Sequence, residues 1–501
     1  MSTLTSLLDG FAVALSPTNL LFVTLGVLVG TVIGLLPGLG PVAVIALLLP
    51  LTFELDPATA IIMLAGIYYG AMYGGRIPAI LLGLPGDASS VVTVLDGYPL
   101  TKQGRAGSAL GITAIGSFAG GMVAVVGLTL LAVPLARFAG SIGAPEIFIL
   151  ALLGLSMVVF LGSGSKIKAL SLAALGLILG AVGLDPISGG VRLTGGNVDL
   201  MSGIHVVPLA VGIFGIGEIL YRSDRGYFGG AGELRISNVL PTMGDWIASR
   251  LAILRASILG FFIGVMPGGG GTISSVIGYA TERRFSKQPE RFGKGAIDGL
   301  AATETADNAS SNSSFVPLLT LGLPPNPALA LMFGALLLHN VTPGPQLITE
   351  HPDVFWGVIA SMFIGNFMLL ALNLPLIRVF VQILRLRGAL MAPIIVIVAI
   401  CGVYSVQRSM FDVGLAVVFG LVGYVLRKLN YELGPLILAF ILGPILEEEY
   451  RRSMLLSEGS LLVFLERPIS LGMLVIAVLA IAGSLLYGRR RRTAERARSA
   501  T

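Results

Sequence analysis

Apolar residues in this chain come in long runs, not in strand-like alternation. The runs are Asn19–Leu36, Gly107–Leu135, Ile147–Leu161, Ala169–Leu184, Val206–Leu220, Val354–Leu384, Ala389–Tyr404, Phe411–Leu426 and Pro468–Tyr487. A bilayer core takes about 20 apolar residues per helix, and these runs meet or approach that length, which predicts an all-α polytopic membrane protein of about 10–12 transmembrane helices.

Two interruptions depart from the helical pattern. Pro37-Gly38-Leu39-Gly40-Pro41 and Pro267-Gly268-Gly269-Gly270-Gly271 each break an apolar stretch. Proline and clustered glycine cannot continue a helix, so broken or re-entrant hairpins are expected. Backbone left unpaired at membrane depth is tolerated only where protein or water satisfies it. The breaks also match each other. Gly30, Gly34, Pro37, Gly38 and Gly40 align with Gly260, Gly264, Pro267, Gly268 and Gly270 at a constant offset of 230 positions. A second pair follows: Ile77–Pro85 aligns with Val316–Pro324 at an offset of 239. Same order and similar offsets point to duplication, and paired breaks in two halves are the best sequence pointer to a transporter site.

Charge sharpens this reading. Asp9, Glu54 and Asp56 flank the first break, with no basic residue. Arg250, Arg255, Arg283, Arg284, Lys287, Arg291 and Lys294 flank the second. Lys and Arg mark the cytoplasmic side, so the two repeats are expected to be inverted. The expected division is an N-terminal segment 1–16, a first membrane repeat 17–220, a cytoplasmic linker 221–250, a second repeat 251–446, C-terminal helices 447–487 and a basic cytoplasmic tail 488–501. The first 75 residues hold no Lys or Arg, so no cleaved signal peptide is expected.

Composition agrees. Hydrophobic residues make up 55% of the 501 residues and charged residues 12%, at a mean hydropathy of +0.90, against about 25% charged in soluble proteins. That excludes a soluble enzyme, a disulfide scaffold and a nucleic-acid binder. Cys401 is the lone cysteine, and His205, His339 and His351 lack metal-ligand spacing. Neither a P-loop nor a His-Glu-x-x-His motif is present. No enzyme site and no cofactor are expected, leaving Na⁺ or H⁺ as the coupling ion.

The candidate chemistry lies at the breaks. A new helix N-terminus presents N–H groups that favour anions. Pro37, Gly38, Leu39 and Gly40, and Gly268, Gly269, Gly270 and Thr272 with Ser274 nearby, are therefore candidate cradles for a substrate carboxylate. Tyr73 and Arg76 precede the second break of the first half, and Arg76 suits bidentate carboxylate binding, pairing with Asp87, or a membrane boundary. Asp87 and Ser89 follow the Pro85-Gly86 turn, with Asn326 in the corresponding place of the second half. The polar stretch 301–314 puts Glu304, Asp307, Asn308 and Ser311 on one helix face. Such oxygens suit a hard cation, a buried carboxylate suits a proton, and a solvated cytoplasmic helix would show the same spacing.

These motifs resemble a known family. Pro37–Pro41, Tyr68–Gly75, Leu84–Val92, Leu95–Pro99, Met266–Gly271, Pro317–Pro324, Gly334–His339 and Pro343–Pro345 are similar to the large membrane subunit of the tripartite tricarboxylate transporters, over about Gly26 to Leu446. The resemblance implies a multi-pass protein of the bacterial inner membrane that imports di- or tricarboxylates. It further implies cation coupling and two partners, a small membrane subunit and a periplasmic solute-binding protein. The family's glycine signatures map onto Pro37, Gly38, Gly40, Pro267, Gly268 and Gly270. Arg76 stands where members usually carry a small hydroxyl residue, and Gly83 where they usually carry Asn. An organic-anion channel, a stand-alone carrier without a binding protein and an intramembrane enzyme are the rival readings.

Overall fold

The computed structural model describes every residue except 1–2, 37–38, 141, 162–164, 186, 226–238, 267, 269, 384–387, 477 and 480–501. The described chain is helical, with one two-stranded hairpin of β1 (Gly183–Leu184) and β2 (Val191–Arg192). It packs as two compact units, Met1–Ala139 with Val206–Val425, and Gly140–His205 with Leu426–Thr501.

The larger unit opens with α1 (Thr3–Ala14) and α2 (Pro17–Gly34). Pro17 takes the first helical position of α2, where its missing N–H costs nothing, and the Ser16 hydroxyl caps the Asn19 N–H at 3.4 Å. After the first break come α3 (Pro41–Leu48), α4 (Pro57–Leu82), α5 (Val91–Lys102) and α6 (Ala106–Gly140). In the smaller unit, α7 (Ala144–Leu161) and α8 (Lys166–Gly180) precede the β-hairpin. The larger unit resumes with α9 (Val206–Ala210), a π-turn and α10 (Gly217–Arg225). A reciprocal Thr242–Asp245 cap starts α11 (Met243–Val265). The second break separates it from α12 (Gly271–Phe285), followed by α13 (Ile297–Ser313), α14 (Phe315–Leu321), α15 (Pro327–Leu338) and α16 (Leu347–Glu350). Long α17 (Pro352–Ile383), α18 (Gly388–Gln407) and α19 (Met410–Lys428) complete that unit; α20 (Gly434–Leu456) and α21 (Val463–Glu466) belong to the other.

Seven helical stretches among the described residues are long and apolar enough to span a bilayer: α2, α4, α6, α9 through α10, α11, α17 and α19. Five shorter apolar helices accompany them. The chain is an all-α polytopic membrane protein. Reading apolar runs alone passes over α4, because Tyr68-Tyr69-Gly70 and Tyr73-Gly74-Gly75-Arg76 dilute it. Yet every residue of α4 from Ala58 to Leu81 is buried. The run expected to end at Leu184 stops helically at Gly180, where the chain turns into β1. The basic tail lies outside the described residues.

Two helix pairs form the scaffold of the larger unit. In α2 and α4, Gly30 lies against the backbone of Ile67 and Gly34 against that of Ala71. In α11 and α13, Gly260 lies against Ala306 and Gly264 against Ser310. The glycines shift by 230 positions and the residues they face by 239, the two offsets read from the sequence. Small residues let the backbones approach closely. The second hairpins match as well. α4 ends on Gly83 and α14 on Gly322, both left-handed with φ of 70° and 68°, and the following N–H groups of Leu84 and Leu323 donate to Pro78 and Pro317 at 3.3 and 3.1 Å.

In the smaller unit, Gly176 of α8 lies against the backbone of Leu436 in α20. At one end of this unit Asp185 accepts from Ser188, from the Ile187 N–H and from Arg451 and Arg192. Those bonds, the Ser188 hydroxyl foremost, hold its carboxyl well below the usual carboxylate range.

Candidate functional site

The polar helix α13 is the centre of the larger unit. All 17 of its residues are buried, so it is not a solvated helix. Its face of Glu304, Asp307, Asn308 and Ser311 is at most 3% exposed. An isolated buried carboxylate is costly unless paired, and the neighbours show how each is met. Glu304 Oε1 accepts from the Thr93 hydroxyl of α5. Asn308 Nδ2 donates to Ser117 Oγ of α6 at 2.8 Å. Asn312, one turn on, accepts from Asn366 of α17 at 2.9 Å.

Asp307 reaches across to the first repeat. Ser89 Oγ lies 2.8 Å from Asp87 Oδ2 and 3.0 Å from Asp307 Oδ2. Asp87 also fixes its own turn, accepting from the Ser90 N–H at 3.0 Å. A second contact joins the repeats: Asn326 Nδ2 donates to Tyr68 OH at 3.3 Å. Under the offset of 239, Tyr68 corresponds to Asp307 and Asp87 to Asn326. The two joints thus link corresponding positions in different ways: the carboxylates meet through Ser89, whereas the amide bonds the phenol directly, since Ala328 stands where Ser89 would fall.

The tips close on this centre. A side chain at Gly40 would touch the Asp87 Cβ at 3.5 Å, and one at Gly271 would run into the Asp307 carboxylate and Met72. Gly268, left-handed at φ 75°, donates its N–H to Pro325 O at 2.9 Å, which seats the second tip on the second hairpin. The first turn of α12 has N–H groups without helical acceptors. Thr272 is half-buried there, whereas the Ser274 hydroxyl is spent on Gly271 O at 2.9 Å. Leu39 is buried in its loop, and its N–H donates to Leu36 O at 3.0 Å. Pro37, Gly38, Pro267 and Gly269 lie outside the described residues.

Arg76 is 2% exposed. Its Nη1 donates to Thr113 O at 3.0 Å and to Ser117 Oγ at 2.6 Å, and its guanidinium lies 3.3 Å over the Tyr73 ring. Tyr73 is held by its own hydroxyl, which donates to Ala114 O at 3.1 Å. Arg76 does not pair with Asp87. Among the described residues no carboxylate lies within ion-pair distance of it; Ser117 instead links it to Asn308. Gly83 is accounted for by its conformation, since Gly and Asn are the residues that enter the left-handed region readily.

Several buried oxygens here have no hydrogen-bond partner: Glu304 Oε2, Asp307 Oδ1, Asn308 Oδ1 and Ser310 Oγ. Buried polar groups are normally satisfied. A cluster of orphaned oxygens, acceptor-rich and carrying two carboxylates, is the donor set a monovalent cation or protons would complete. Asp96 closes the neighbouring end. It accepts from the N–H groups of Gly293, Gly295 and Ala296 at 2.9, 2.7 and 2.8 Å and from Tyr279 OH at 2.9 Å, tying α5 to the α12–α13 connection.

Sequence reasoning missed Tyr68, Thr93, Thr113 and Ser117 as members of the centre. Single hydroxyls such as Thr93, Thr113 and Ser117 carry no local signal, and only the packing of α5 and α6 on α13 selects them; Tyr68 lies in the Tyr68–Gly75 motif, but its place in the centre is set by the packing of α4.

The model of the tripartite tricarboxylate transporter TctA family matches residues 20–438. The chain belongs to that family. It is therefore a component of a tripartite tricarboxylate transporter. Similar proteins include the uncharacterized 52.8 kDa protein in the TAR-I ttuC' 3' region of Agrobacterium vitis, 45% identical over 490 residues and 97% of both chains. An uncharacterized protein in the TAR-II ttuC' 3' region of the same organism is 46% identical over 227 residues, covering 45% of this chain and 94% of the relative. No solved structure matches. The TctA match spans both breaks, both joints and the whole of α13.

Proposed function

We propose that this chain is the translocating membrane subunit of a cation-coupled importer of di- or tricarboxylates. It works by alternating access in the bacterial inner membrane, with its C-terminus cytoplasmic. A periplasmic binding protein delivers the acid and a small membrane subunit completes the assembly. The two repeats are inverted in topology, consistent with the basic residues gathered around the second break alone. Gly40, Gly268, Gly270 and Thr272 at the tips offer backbone and hydroxyl donors to the acid. Asp87, Ser89, Glu304, Asp307, Asn308 and Ser311 offer oxygens to the coupling ion.

The carrying observation is the position of Ser89. One hydroxyl proton serves one acceptor at a time, yet the Ser89 oxygen lies within hydrogen-bond reach of two carboxylates. The joint is complete only with a further proton, or with a cation between Asp87 and Asp307. The charge around it gives the same requirement. Half-buried Asp87 and buried Glu304 and Asp307 outnumber the single guanidinium of Arg76, so with all three ionised an incoming carboxylate would enter a negative centre. Holding two buried carboxylates as charges beside a third without compensation is costly. On this reading a proton or cation is loaded with the acid, which is coupling in physical form.

Counterflow in proteoliposomes tests this reading. Saturable exchange of labelled organic acid, driven by a Na⁺ or H⁺ gradient, is the expected result. Non-saturable, gradient-independent flux would instead identify a channel.

A further inference from the structure

We propose that Arg76 is a tethered cation, a fixed counter-charge that takes the place of one mobile coupling ion in the loaded site. The inference rests on the ion-coupled reading above and adds a count to it.

The geometry holds the guanidinium as an ion in a niche. It is stacked on Tyr73 and anchored by Thr113 O and Ser117 Oγ. Stacking on an aromatic face and hydrogen bonds to neutral oxygens stabilise a buried cation without neutralising it. A guanidinium cannot shed its proton, so its charge is permanent. A direct ion pair would cancel that charge locally, and none forms among the described residues. The positive charge is left to act on the carboxylates across Ser117 and Asn308. The facing groups are Glu304 and Asp307 of α13 and Tyr73 of its own helix, with Asp87 and Ser89 beyond Asp307. Coulomb interaction in a poorly screened interior reaches over such distances. With Arg76 present, the centre needs one fewer cation to reach a given net charge.

The alternative role, a ligand that grips the acid, makes a different prediction. A ligand sets affinity for the acid and leaves the ion count alone. The test therefore counts ions without any organic acid. Purified full-length protein is saturated with radioactive sodium as NaCl at neutral pH, and bound sodium is summed with protons taken up or released in a pH-stat. Two neutral replacements are used: Arg76→Gln, which can retain a bond to Ser117, and Arg76→Met, which retains contact with the Tyr73 ring. Each is expected to bind one cation more per chain than the unaltered protein. Arg76→Lys keeps the charge and should keep the original count. The double replacement Arg76→Gln with Glu304→Gln removes one charge of each sign and should restore it.

An unchanged count in the folded neutral variants overturns the proposal, as does a rise in Arg76→Lys of the same size. If only one neutral variant folds, it decides alone. If neither folds, the Lys variant decides, because an increased count there contradicts a role based on charge. Failure of the parent reading shows separately: the unaltered protein would then bind neither sodium nor linked protons.

Discussion

The two joints that tie the repeats together occupy corresponding places and differ in chemistry. Asn326 meets Tyr68 through an amide–phenol hydrogen bond between neutral groups. Asp87 meets Asp307 through Ser89, and the single hydroxyl proton leaves that contact incomplete. Corresponding positions thus carry one neutral contact and one acidic contact, and under the proposed coupling only the acidic one responds to a proton or cation.

The strongest way to break this comparison is to neutralise the acidic joint on α13. Asp307→Asn should abolish cation stimulation of uptake, a loss of about 5–150-fold, the usual span of coupling energies. Proteoliposome uptake with and without a gradient measures it, and retained gradient dependence would refute the assignment. Asp87→Asn goes further toward making the two joints alike. Its amide oxygen can still accept from the Ser90 N–H, so the turn survives and charge alone changes. We expect gradient-driven uptake to fall on the order of tenfold while equilibrium exchange persists.

The reverse swap sharpens the comparison. Asn326→Asp keeps an oxygen for the Leu329 N–H and puts a carboxylate beside Tyr68. Uptake should drop by about tenfold at alkaline pH and recover as acid protonates the new group; a flat pH profile would separate that joint from transport. Smaller effects test the scaffold. Gly34→Ala and Gly264→Ala each push a methyl into the facing backbone, and each should cost about 1–3 kcal/mol of stability. Thermal unfolding in detergent would show similar losses if the two helix pairs are equivalent. Least of all, Gly268→Ala places a side chain at left-handed φ and should cost about 1–2 kcal/mol. Gly40→Ala, with φ of −67° and ordinary contact with Asp87, should be nearly silent in the same melt.

Much of the site was legible before any coordinates. The breaks, the offsets and the one-sided polar face of α13 are all local patterns, and local patterns survive in sequence because helix periodicity and Pro–Gly chemistry act over a few residues. Arg76 marks the boundary of that legibility. Its burial was readable from the apolar context, but three roles fitted equally. Its partners, Thr113 and Ser117, sit in α6 and bear no mark of their own. At Ser274 only the packed helix shows where the hydroxyl proton goes, to Gly271 O of its own first turn.

The chain's order of residues alone therefore determined the membrane class, the helical breaks and the presence of two related halves, since hydrophobic length, proline sterics and repeated spacing are properties of adjacent residues. Which oxygens face one another was decided only when α4, α5, α6 and α13 packed together. Burial and a shared proton depend on atoms that lie up to 218 positions apart along the chain, and no local rule carries that information.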